Sequence, residues 1–135
     1  MPHLVILYTP NLDPDADIGG LCRALADAML AVKDESGKQV FPTGGVRVLA
    51  YPAAHHAVAD GAGDYAFAYL NLRMGRGRSE AVKRRAGELL GEVARKHFGP
   101  HMGRRPTGVT LQIDEGPEVF DVKHSTLHPL FARTP

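Results

Sequence analysis

The sequence predicts an α/β (α+β) chain: two tandem βαβ units forming one four-stranded sheet with two helices on one face. Three observations predict it. Apolar strands and amphipathic helices run in the order strand, helix, strand, then strand, helix, strand. The two helix caps, Asp13 and Ser79, stand 66 residues apart, and the openings of the second and fourth strands, Val46 and Val109, stand 63 apart. Offsets that close indicate two copies of one unit. A βαβ crossover joins parallel strands and is right-handed, so two units side by side put both helices on the same face. The 135 residues are read as a single domain, 1–135, with pseudo-repeats at about 2–51 and 64–113 and an irregular tail at 114–135.

The first strand follows the initiator methionine, Met1-Pro2-His3-Leu4-Val5-Ile6-Leu7-Tyr8. Its branched aliphatic run is closed by Thr9-Pro10-Asn11, and proline is tolerated as the first residue of a strand. Asp13 caps the first helix with Pro14 in its first turn, although Gly19-Gly20 weakens that turn and can move the start later. Ile18, Leu21, Cys22, Leu25, Met29 and Val32 form its apolar face. Lys33 to Lys38 is a polar loop and Val40 to Gly45 a bend. Val46 to Tyr51 is the second strand, stopped by Pro52. Ala53 to Gly63 reads as a surface loop. Asp64 to Leu72 is the third strand, with Tyr65, Phe67 and Tyr69 on one face.

Ser79 caps the second helix, whose apolar face is Val82, Ala86, Leu89, Leu90, Val93 and His97 and which ends near Gly99-Pro100. Thr107 to Ile113 is the fourth strand. The tail carries Pro117, Pro129 and Pro135, with one short strand expected near Val119 to Val122. With both helices on one side, the other sheet face is uncovered, yet the strands carry Val5, Leu7, Val46, Val48, Phe67 and Val109. Exposed apolar sheet needs a partner, so a homo-oligomer is expected.

An apolar content of 44%, a charged content of 23% and a formal net charge of +1 are those of an ordinary globular chain. They offer no reason to expect nucleic acid or a membrane as partner. No membrane span or leader is expected. Cys22 is the one cysteine, so a reducing cytoplasm is the simple reading and a small core residue its simple role. Seven histidines include His55-His56, His97 with His101, and His124 with His128. Neither i,i+4 pair comes with a carboxylate or cysteine at matching spacing, so no metal is expected.

Three features carry chemistry. If Met1 is removed, Pro2 is a secondary amine whose pKa can be tuned toward neutrality, a candidate general base; a retained Met1 would make that nitrogen an amide. Gly75-Arg76-Gly77-Arg78-Ser79 joins a strand to a helix N-terminus, which favours anions. It lacks the ending of a phosphate loop, and can be a carboxylate site or a turn with solvated arginines. Arg47, between Val46 and Val48, either points to solvent or binds a ligand.

Met1-Pro2-His3 with its aliphatic run, Gly45-Val46-Arg47, Ala59-Asp60-Gly61 before Asp64-Tyr65-Ala66-Phe67, Gly75-x-Gly77-Arg78-Ser79, and Lys123 before Leu127-His128 resemble the 5-carboxymethyl-2-hydroxymuconate Δ-isomerase family of the tautomerase superfamily. The resemblance spans nearly the whole chain in the same order. It implies a tautomerase-like fold, a homotrimer, no cofactor, and an isomerase that moves a double bond in a polycarboxylate dienol of aromatic-compound catabolism. Carried over by position, Pro2 is the acid–base catalyst, with Arg47 and Arg78 catalytic and substrate-binding; Arg76, in the same loop as Arg78, is expected to bind substrate as well. The second unit begins at Asp64 inside the chain, so one proline site per chain is implied. The alternatives are another activity of the superfamily (aryl-pyruvate tautomerase, dehalogenase or decarboxylase) or, with Met1 retained, a non-catalytic trimeric anion-binding module.

Overall fold

The computed structural model describes residues 2–131. Strands β1 (His3–Tyr8), β2 (Arg47–Pro52), β3 (Ala66–Met74) and β4 (Thr107–Glu115) form one sheet in the order β2-β1-β3-β4. β1 and β2 are parallel, as are β3 and β4, while the central pair β1–β3 is antiparallel. Two βαβ units therefore meet along their first strands. Helices α1 (Ile18–Leu30) and α2 (Glu80–Met102) pack against each other and against one face of the sheet. The core between them is built from Leu4, Ile6, Leu21, Leu25, Leu70, Leu72, Leu90 and Phe98, all fully buried. No helix among the described residues is long and apolar enough to cross a membrane.

α1 begins at Ile18, later than a cap at Asp13 would place it. Pro10–Leu12 forms a 3₁₀ turn, and Asp13 instead accepts a hydrogen bond from the Tyr8 hydroxyl at 2.6 Å. Burial, with that contact second, pushes the Tyr8 pKa up to about 12. Asp17 takes over as cap, accepting from the Gly20 amide at 3.1 Å. It does so in the left-handed region, at φ 45°. A Cβ on residue 20 would collide with the Asp17 carboxylate, so Gly20 makes room for the cap.

α2 is capped by Ser79 as expected, its Oγ accepting from the Val82 amide at 3.2 Å. The helix does not end at Gly99-Pro100 but runs through it to Met102. A proline inside a helix costs about 3 kcal/mol when it breaks interior bonds, and burying a phenylalanine contributes about 1.5–3 kcal/mol. Phe98 is fully buried, and the His97 ring donates from Nε2 to the Ala16 carbonyl at 2.5 Å. Tertiary contacts thus hold the last turn around Pro100.

β3 starts two residues later than expected because Asp64 and Tyr65 form a corner. Asn11 donates to the Asp64 carboxylate at 3.0 Å and to the Tyr65 carbonyl at 2.7 Å, and Arg105 donates to Asp64 at 3.0 Å. β3 continues to the buried Met74 because β4 pairs with it as far as Glu115. The short strand expected near Val119 to Val122 does not form. Val119 and Phe120 are 102% and 80% exposed, so a strand there would have no core to cover. The described residues close with a 3₁₀ turn, His128–Phe131, packed on a second such turn at Thr43–Gly45.

The uncovered sheet face exists, but with a different set of residues. Val48 and Val109 pair with Leu4 and Ala68, which point to the helices, and Val46 precedes the strand. The open face carries Val5, Leu7, Leu49, Tyr51, Phe67 and Tyr69, with Leu7 49%, Leu49 45% and Tyr51 52% exposed. It is graded along the strands. One end is apolar, and the row at the other end is Arg47, His3, Arg73 and Asp114.

Candidate active site

Pro2 is buried and directly precedes β1. His3 pairs with Arg47 of β2 and with Arg73 of β3. One residue further back along both ladders, Pro2 falls beside Val46 and Met74. The amino end of the described chain therefore meets the start of β2, the end of β3, and the turn that follows β3. This is also the charged end of the open face. Met1, whose removal a free Pro2 amine requires, lies outside the described residues, as do residues 132–135.

The turn after β3 is the Gly75-to-Ser79 stretch. Gly77 adopts φ 109°, a backbone conformation open to glycine but strained for other residues. The turn folds Arg78 back on itself, so that its guanidinium donates to the Gly75 carbonyl at 3.1 Å. The same guanidinium lies over the ring of Phe41, 5.0 Å from its centroid. Burial pushes the Arg78 pKa below its ordinary value, with the Glu115 carboxylate opposing that shift. The guanidinium stays charged throughout the neutral range. Ser79, besides capping α2, donates to Glu35 at 3.2 Å. Arg78, Ser79, the exposed Arg76, Glu35 and Lys38 line a hollow of about 480 Å³.

Arg47 stands at the start of β2, partly exposed, on the open face beside His3. It lines a second hollow of about 500 Å³, whose other wall is His3 and the tail segment 121–127. Among the described residues Arg47 has no hydrogen-bond or ion-pair partner. Pro2, Arg47 and Arg78 thus share one end of the sheet, but within one protomer the two arginines open into separate hollows.

Two residues at this end escaped the sequence reading. Arg73 lies across His3 from Arg47 in the same row, and the alternation Phe67, Tyr69, Asn71, Arg73 was the signal for it. Phe41 is fully buried under Arg78, and its one signal was a large aromatic in an otherwise polar connection. Cys22 is half-buried against the core, its thiol pKa raised by burial, as a small core residue would be. Among the described residues no three His, Cys, Asp or Glu side chains converge where a metal ion would sit.

Comparison with known proteins gives this end of the sheet a context. A family model described as 5-carboxymethyl-2-hydroxymuconate isomerase matches residues 2–131. The 5-carboxymethyl-2-hydroxymuconate Delta-isomerase of Escherichia coli is 30% identical over 131 residues, covering 97% of this chain and 99% of that one. A crystal structure of 5-carboxymethyl-2-hydroxymuconate delta-isomerase is 60% identical and superposes with a TM-score of 0.95, covering 100% of this chain and 95% of that one. A 5-carboxymethyl-2-hydroxymuconate isomerase from Deinococcus radiodurans R1 is 34% identical, with a TM-score of 0.87 and coverages of 98% and 95%. At the level of fold alone, a fused 4-OT symmetric trimer is 23% identical with a TM-score of 0.59, covering 92% of each chain. The chain belongs to the 5-carboxymethyl-2-hydroxymuconate isomerase family and is an isomerase of the tautomerase superfamily.

Proposed function

We propose that the chain moves a double bond in a polycarboxylate dienol of the 5-carboxymethyl-2-hydroxymuconate type, in aromatic-compound catabolism, with the amine of Pro2 as acid–base group. The placement of Pro2 carries this reading: it is buried at the end of the sheet that also holds Arg47 and the Arg78 turn. The neutral amine takes the enol proton, the electrons shift along the diene, and the same nitrogen returns the proton to a distant carbon. Substrate and product are isomers, so no oxidant and no co-reactant enter the balance. Neighbouring cations and poor solvation favour the unprotonated amine, each pKa unit representing about 1.4 kcal/mol. Arg78 and Arg47 bind substrate carboxylates and stabilise the negative charge that develops on oxygen, and the exposed Arg76 adds attraction for a polyanion.

The protein of verified mass lacking Met1 is expected to bleach the absorbance of a conjugated dienol tricarboxylate with no added metal or cofactor. Absence of turnover by that processed protein would overturn the proposal.

The working form in this reading is a homotrimer in the reducing cytoplasm, with the open sheet faces packed inward. Support comes from Leu7, Leu49, Tyr51 and Phe67, which stand exposed on that face, and from the trimeric assembly named for the fused 4-OT fold relative. Arg47 stands on the same face, so assembly decides which Pro2 it serves. Light scattering coupled to gel filtration should return about three times the 14.6 kDa chain mass, and Leu7→Glu should shift the population to monomer by placing a charge in the apolar interface. A monodisperse wild-type monomer at micromolar concentration would sink the trimer.

A further inference from the structure

We infer that Phe41 is a positioning residue for Arg78: its ring holds the guanidinium in place by its π face and leaves the N–H fork free for a substrate carboxylate. This deepens the proposed role of Arg78 and rests on it.

A guanidinium carries five N–H donors in a rigid plane and has no acceptor. An arginine that must present a fork to a ligand needs fixing, because its long side chain otherwise samples many rotamers. Fixing it with carboxylates would spend the donors and cancel the charge. Among the described residues, Arg78 has one hydrogen bond, to the Gly75 carbonyl at 3.1 Å, and no ion pair. Glu115 acts on it through charge alone, without an ion-pair contact, and the Phe41 ring lies against it, 5.0 Å from the guanidinium carbon. The face of an aromatic ring attracts a cation electrostatically and consumes no donor.

The ring is itself well held. Phe41 is fully buried, and its carbonyl accepts from the Gln39 side chain at 2.7 Å. The connection that carries it is tied to α2 at two further points. Glu35 accepts from Ser79, and Arg85 donates to the Lys33 carbonyl at 2.5 Å. The α1–β2 connection therefore acts as a rigid seat under the Arg78 turn, although the two are distant in sequence.

The test separates a π contact from simple packing. Phenylalanine at position 41 is replaced by mono-, di- and trifluorinated phenylalanines, which weaken the negative ring face at nearly constant shape. kcat/KM on a dienol tricarboxylate should fall stepwise, about tenfold in total, chiefly through KM, with the melting temperature unchanged. Phe41→Leu should lose at least as much. In an Arg78→Ala background the fluorinated series and Phe41→Leu should have no further effect. A flat fluorination series, or a Phe41→Leu loss that is the same in both backgrounds, overturns the positioning role and leaves that of Arg78 standing. Full activity of Arg78→Ala overturns both.

Discussion

A protein that keeps Met1 is expected to lose nearly all activity, on the order of 10²- to 10⁴-fold, because the acid–base step is what disappears. The comparison is between processed and Met1-retaining protein at equal concentration, each verified by intact mass. In the processed form the Pro2 nitrogen is a secondary amine. In the other it is an amide, with no basicity at working pH, while strand, turn and arginines remain as they are. The two forms should therefore bind a carboxylate product alike and differ in turnover. The pH profile gives the sign. The active amine is the neutral one, so kcat/KM should rise with pH through the depressed amine pKa and level off above it. Pro2→Ala leaves a primary amine at the same place and should retain part of the activity with a displaced profile. Equal rates for the two forms would remove the proline from the mechanism and leave anion binding as the better account of this end of the sheet.

What could be read in the sequence was what is local. Ser79 caps α2 because a serine beside a helix start needs no distant partner. The doubled βαβ order survives because hydrophobic periodicity repeats in both halves. Errors arose where a residue outside the element competed. Asp13 is a good cap by chemistry, but Tyr8 claims its carboxylate and the helix waits for Asp17. Asp64 has its carboxylate taken by Asn11 and Arg105 before it can enter β3. In Val46-Arg47-Val48-Leu49-Ala50-Tyr51 both faces carry apolar residues, so alternation alone does not say which one meets the helices. Pairing with Leu4 and Ile6 decides for Val48 and Ala50 and leaves Leu49 and Tyr51 outside. Val119 to Val122 has strand-forming residues, but strand preference expresses packing on a neighbour, and among the described residues these side chains stay largely exposed.

The site shows the same division. Pro2, Arg47 and Arg78 stood out in the sequence as candidates, with roles that only the family resemblance implied, and the fold places all three at one end of the sheet. Phe41 was not legible, because its meaning lies in a contact with a residue far along the chain. Nor was the separation of the arginines into two hollows, one walled by the tail beside Arg47 and the other by the α1–β2 connection beside Arg78.

Alanine at Arg78, and separately at Arg47, should lower kcat/KM by a factor on the order of 100 or more and leave the melting temperature within a few degrees. The stability half follows from their partners. Among the described residues Arg47 has no hydrogen-bond partner whose loss would orphan a buried group, and Arg78 releases one carbonyl in a partly exposed turn. The catalytic half follows from charge. In the proposed mechanism a bidentate arginine–carboxylate contact is lost outright, and with it the stabilisation of charge gathering on oxygen during proton transfer. Arg78→Lys separates these contributions, because it keeps the charge and loses the fork, so it should fall between wild type and alanine. Arg76→Ala, at an exposed position on the rim of the same hollow, should have a smaller effect that weakens further as salt is added. Full activity of Arg78→Ala on a carboxylate substrate would make the Gly75-to-Ser79 turn a structural joint. The anion would then have to be held at the row of Arg47, His3 and Arg73 on the open face.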